Sequence, residues 1–73
     1  MRHLKESTLT KEELEAVRLI DVEEIEQKKA ANMMKVSQPT LSRILATARK
    51  KLADALVNGK AIKIEGGDYR FCK

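Results

Sequence analysis

The apolar residues of this chain repeat with a helical period from residue 10 to residue 57 and then switch to alternation. Leu9-Thr10-Lys11-Glu12-Glu13-Leu14 opens the first helical stretch. Thr10 suits an N-cap that accepts from the Glu13 amide while the Glu13 side chain reaches back, a capping box, and Leu9 and Leu14 hold the flanking places of a hydrophobic staple. Acids in the first turn suit the positive end of the helix dipole. With Leu14, Val17, Leu19 and Ile20 as its apolar stripe, a helix is predicted over 10–21. A second is expected over 26–34. Its Ala30 and Ala31 permit close approach of another helix, and Met33 and Met34 read as core filler.

Ser37-Gln38-Pro39-Thr40 is a third start signal, because Ser is a good N-cap and Pro is tolerated in the first turn. The helix should span 38–57, with Asn58-Gly59 as its stop. At 100° per residue the core arc collects Leu41, Ile44, Leu45, Ala48, Leu52, Ala55 and Leu56, and the opposite arc Pro39, Ser42, Arg43, Ala46, Thr47, Lys50, Asp54 and Val57. Beyond it Ile62 and Ile64 alternate with polar residues, Gly66-Gly67-Asp68 reads as a turn, and Tyr69-Arg70-Phe71 alternates again. A short β-hairpin or strand pair over 60–72 is expected, of winged type. Since an isolated hairpin is marginal in water, Ile62, Ile64, Tyr69 and Phe71 are expected to pack on the helices or on a second chain. Residues 1–8 read as a flexible tail.

The fold class is therefore mainly α: one three-helix domain with a small C-terminal β element. At 73 residues the core is thin, and an enzyme with a deep substrate pocket is not expected. One Tyr and one Phe argue against stacking of single-stranded bases on aromatic platforms. Cys72 is the sole cysteine, so no internal disulfide forms, which fits a reducing cytoplasm. It has no Cys or His neighbour in sequence, and His3 lies in the tail. No metal, cofactor or catalytic set is expected, nor any signal peptide or membrane span.

The net charge of +4 conceals a strong asymmetry. Residues 1–26 carry four bases and eight acids, residues 27–51 seven bases and no acid, and residues 52–73 four bases and three acids. A central third without an acid is the footprint of a polyanion-binding surface. It coincides with Gln27 to Ile44, where two predicted helices are joined by Lys35-Val36-Ser37. Ala31, Val36, Leu41 and Ile44 stand at the fifth, tenth, fifteenth and eighteenth places of this unit. That spacing suits a helix-turn-helix, whose second helix presents its first turns to a major groove.

By position on that helix Gln38, Pro39, Ser42 and Arg43 are the base-edge candidates. Gln pairs bidentately with adenine, Arg with guanine, and Pro touches a thymine methyl. Gln27, Lys28 and Lys29 at the start of the second helix are phosphate candidates, with Thr40, Thr47, Arg49, Lys50 and Lys51 on the third. Each has a plainer reading as helix-start polarity or solvated charge.

The segments EELEAVRLIDVE, QKKAANMMKVSQPTLSRIL and ARKKLADALVNGKAIKIEGGDY resemble an uncharacterised family of small prokaryotic predicted DNA-binding proteins. Their helix-turn-helix is similar to the last domain of primary-type sigma factors, which reads the −35 promoter element. The resemblance covers roughly Leu9 to Tyr69, and ADALVNGKAIKIEGGDY is its most specific part. It implies a sigma region 4-like fold and duplex DNA as partner. Three departures stand out. Lys35 occupies the turn where Gly is usual, Gln38-Pro39 replaces Arg and a small residue, and a longer N-terminal arm with Pro and Cys is missing.

The expectation is sequence-specific binding of double-stranded DNA by a small transcriptional regulator, acting as a homodimer on two half-sites. The alternative is a protein-interaction module that docks on RNA polymerase or another regulator with little DNA contact.

Overall fold

The computed structural model describes residues 5–65. Strand β1 (Glu6–Leu9) leads into α1 (Lys11–Val17), which widens into a π-helical turn over Arg18–Val22. Helix α2 (Gln27–Met34), helix α3 (Gln38–Asn58) and strand β2 (Ala61–Ile64) follow. The protein is thus mainly helical, with three α-helices and a two-stranded parallel sheet.

Local chemistry accounts for the element boundaries. The capping box forms as read: the Glu13 amide donates to Thr10 Oγ1 at 3.1 Å, and the Thr10 amide donates to Glu13 Oε1 at 2.9 Å. The first helix then departs from a plain α-helix, because the Glu23 amide donates to the Arg18 carbonyl five residues back. The Ile25 amide returns to the Leu19 carbonyl, which brings half-buried Ile25 against the core. At the start of α3 the Thr40 amide donates to Ser37 Oγ at 3.2 Å. Gly59 ends α3 in the left-handed conformation (φ 65°), where a side chain would be strained.

Lys35 ends α2 in the same conformation, with φ 60° and ψ 43°. The Val36 amide donates to the Ala31 carbonyl and the Lys35 amide to that of Asn32, the two bonds of a Schellman motif. A left-handed non-glycine residue is strained by about 1–2 kcal/mol. Lys35→Gly should therefore raise unfolding stability by up to about 1 kcal/mol, the backbone entropy of Gly offsetting the rest. A urea titration reads this as a higher midpoint at unchanged slope.

Ala16, Leu19, Ala30, Ala31, Leu41 and Leu45 form the core, flanked by Val17, Ile20, Ile25, Met34, Val36 and Ile44. The alanines on α1 and α2 let the backbones approach closely, so a thin core still closes. Leu9, Ala48 and Ala55 are buried as well.

The structure corrects several expectations. Residues 6–8, read as the end of the tail, form with Leu9 a strand that buries Leu9 and pairs with β2 in register Glu6↔Ala61, Ser7↔Ile62, Thr8↔Lys63, Leu9↔Ile64. The partner of β2 within the described residues is therefore parallel β1, across the whole helical region, and not a hairpin arm. Tyr69 and Phe71, the other half of the expected hairpin, lie outside the described residues. Leu14 (41% exposed), Met33 (51%) and Leu56 (80%) are on the surface rather than in the core. Each sits on an apolar arc in projection, but none is covered by an element of the described residues.

Candidate nucleic-acid interface

Helix α3 divides into two faces. Leu41, Leu45, Ala48 and Ala55 are buried, whereas Gln38, Pro39, Ser42, Arg43, Ala46, Thr47 and Lys50 are all exposed. Pro39, Arg43, Ala46 and Lys50 fall within a narrow sector of the helix at 100° per residue. Arg43 and Lys50 are seven residues apart, so their Cα atoms are separated by roughly 10 Å along the axis. Exposed Ala46 lies between them and leaves a shallow step between two cations. All four base-edge candidates are thus brought together on one accessible side of the first two turns.

Lys28 and Lys29 are exposed at the start of α2, and Lys35 is exposed in the turn between the helices. Among the described residues Lys28, Lys29, Lys35, Arg43 and Lys50 take part in no ion pair, whereas Arg49 and Lys51 do. Lys35 stands in the turn where the resemblance would place Gly. It belongs to the acid-free block, and its exposure adds it to the basic surface. Gln27 is exposed as the first residue of α2, but Glu26 stands at the N-cap with no capping hydrogen bond. An acid there weakens the attraction of that helix end for a phosphate.

Two phosphate candidates are otherwise engaged. Arg49 donates from Nε and Nη2 to the Asp21 carboxylate, at 3.2 and 2.5 Å, and so ties α3 to the π-helical turn. Lys51 Nζ donates to Glu13 Oε1 and to the Thr8 carbonyl, both at 2.8 Å. The Ser7 hydroxyl donates to the Lys51 carbonyl at 3.3 Å. Lys51 is thereby the peg that joins β1, α1 and α3. Thr40 is half-buried, with its hydroxyl accepting from Ser37 Oγ at 2.9 Å, so its part is in the cap.

These pairs leave their mark on titration. Burial would raise the Glu13 carboxyl, but hydrogen bonds from Lys51 and from the Thr10 amide outweigh it and hold the group below its ordinary 4.5. The guanidinium of Arg49 holds Asp21 below its ordinary 3.8. Lys60 and Asn58 likewise lower Asp54. Carboxylates depressed in the folded state stabilise it above their unfolded values and lose that contribution as pH falls through the folded ones. Thermal stability should hold from neutrality to about pH 5 and then fall steadily below pH 4.5, which a series of circular-dichroism melts checks.

Among the described residues no helix is long and apolar enough to cross a membrane, and no three His, Cys, Asp or Glu side chains cluster as metal ligands would. His3 and Cys72 lie outside those residues.

Residues 2–72 match the family model described as Protein of unknown function DUF134. A UPF0251 protein of Thermoanaerobacter sp. is 63% identical over 70 residues, which cover 96% of this chain and 62% of the relative. One from Moorella thermoacetica is 59% identical over 71 residues, covering 97% and 48%. One from Halothermothrix orenii is 50% identical over 72 residues, covering 99% and 53%. The chain therefore spans about half to three-fifths of the length of the curated relatives it matches. No solved structure matches it. With the family model covering nearly its whole length, the chain belongs to the uncharacterised DUF134 family, whose curated members are UPF0251 proteins.

Proposed function

We propose that this chain binds double-stranded DNA in a sequence-dependent way and serves as a small transcriptional regulator. In this reading α2, the Lys35–Ser37 turn and α3 are a helix-turn-helix similar to the last domain of primary-type sigma factors. The observation that carries it is the exposed face of α3 and its approach from α2. Gln38, Pro39, Ser42 and Arg43 are exposed at the start of α3, and four further exposed cations, Lys28, Lys29, Lys35 and Lys50, take part in no ion pair among the described residues. Gln38 and Arg43 would read base edges, Pro39 and Ala46 would lie against methyl groups or sugar, and the Ser42 hydroxyl would donate to an acceptor on a base edge. Lys28, Lys29, Lys35 and Lys50 would hold phosphates and set affinity rather than sequence choice.

The paired and unpaired cations supply an internal control. In fluorescence-polarisation titrations with a random duplex, Lys50→Ala should weaken binding uniformly and reduce the salt slope by about 1. Arg43→Ala should cost about 1–3 kcal/mol on a selected site and relax preference at one position. Arg49→Ala should change affinity less than Lys50→Ala, since Asp21 already neutralises it. Equal binding by wild type and both Arg43→Ala and Lys50→Ala would sink the reading.

The alternative, docking on RNA polymerase or another regulator, has one feature in its favour. The acids that hold Arg49 and Lys51 belong to a first helical region whose Glu12, Glu23 and Glu24 remain exposed. Capture of a polymerase subunit from nuclease-treated lysate, with no duplex binding at low salt, would favour it.

A further inference from the structure

Arg49 differs from the other paired cation of the central block in having a partner that it can give up. Its guanidinium donates to both oxygens of Asp21, yet the two side chains are 53% and 36% exposed. Lys51 is held more firmly, since Glu13 is buried and the Thr8 carbonyl accepts from the same ammonium. An exposed ion pair adds little to folding, and water or another anion can replace either member. Arg49 also stands at the margin of the base-edge row. It follows Ser42 by seven residues, as Lys50 follows Arg43, so each pair spans roughly 10 Å of the helix axis. At 100° per residue it falls within roughly 20° of both Gln38 and Ser42. The backbone holds Asp21 in place beside it. The Glu23 amide closes the π-helical turn on the Arg18 carbonyl, and buried Leu19 accepts from the Ile25 amide. Arg18 pairs with Glu15 and Glu23, which leaves the Asp21 carboxylate to Arg49.

We propose that Asp21 is an intramolecular stand-in for a DNA phosphate, an autoinhibitory contact that occupies Arg49 and holds down the affinity of α3 for duplex. The inference rests on the DNA-binding reading and adds to it a residue from outside the helix-turn-helix. A carboxylate offers a guanidinium the same paired acceptor oxygens as a phosphate does. With Asp21 in place Arg49 gains nothing in charge from a passing phosphate, so one contact at the edge of the base-reading row stays silent. Neutralising Asp21 restores it without touching any residue that faces the DNA.

Fluorescence-polarisation titrations of the 73-residue chain with random duplex, over a series of salt concentrations, test it. Asp21→Asn should tighten binding about five- to tenfold at about 0.1 M salt and steepen the slope of log affinity against log salt by about 0.9, the signature of one more phosphate contact. Asp21→Ala, which removes the acceptor as well as the charge, should do the same. In the Arg49→Ala chain Asp21→Asn should change affinity by less than about twofold, because a lone carboxylate at the margin is screened. A wild type that binds with salt-dependent affinity, and is matched or surpassed by neither variant's gain, overturns the proposal and leaves the DNA reading standing. An equal gain in the Arg49→Ala chain overturns it too, since the carboxylate would then act on DNA directly and not through Arg49. Loss of the fold in both Asp21 variants, read by circular dichroism, overturns it by making the pair a structural tie. A wild type without salt-dependent binding removes the DNA reading itself, and this inference with it.

Discussion

Raising monovalent salt from about 50 to about 200 mM should weaken binding of this chain to random duplex by roughly 500-fold. The magnitude follows from the number of free cations. Lys28, Lys29, Lys35, Arg43 and Lys50 are exposed and unpaired among the described residues. On random duplex Arg43 has no fixed guanine to read and rests on the backbone with the four lysines; with one phosphate neutralised by each, the slope of log affinity against log salt is about −4.5, and a fourfold rise in salt gives the stated loss. Counting all seven bases of the central block would instead predict a slope near −6. The measured slope therefore separates an interface of free cations from one in which Arg49 and Lys51 abandon Asp21 and Glu13 for DNA. A slope near zero would remove the electrostatic basis of the proposed function altogether.

Glu13→Ala is expected to be the most destabilising single change to a charged residue, at about 2–4 kcal/mol. Glu13 is 7% exposed and is the only buried charged residue among those described. Its carboxylate serves both the capping box and Lys51, which in turn holds the Thr8 carbonyl. Truncation removes a cap contact worth about 1 kcal/mol and leaves the Lys51 ammonium with the Thr8 carbonyl but no carboxylate. The ammonium is one-third exposed, so water recovers part of that loss. For a chain this size total stability is roughly 4–11 kcal/mol, so the effect would be visible in any denaturant titration. Glu13→Gln keeps an N3 partner for the Thr10 amide and should lose about half as much. Combining either variant with Lys51→Met should be less than additive, which a double-mutant cycle measures. Full additivity would show that the two side chains do not stabilise the fold as a pair.

What could be read directly from the residues is what depends on near neighbours. The Thr10–Glu13 capping box, the Ser37 cap with Pro39 behind it, and the Gly59 stop are each set within a few residues, and all three appear as read. The amphipathic arc of α3 placed Leu41, Leu45 and Ala48 inside and Arg43 and Lys50 outside, because helical geometry alone sorts them. The acid-free central block likewise determined where an electropositive face would be.

The tertiary structure decided everything that joins distant parts of the chain. Glu6–Leu9 is too short and polar to signal a strand, and it becomes one only because β2 arrives alongside it from the other end of the chain. Leu56 lies on the apolar arc of α3, yet burial needs a neighbour, and none among the described residues packs over it. Arg49 and Lys51 have the same charge and chain context as Lys50. Their partners, 28 and 38 residues earlier, engage their charges within the chain, although Arg49 itself stays exposed. Composition and period fix what a residue prefers, whereas only the packed chain determines which groups face it.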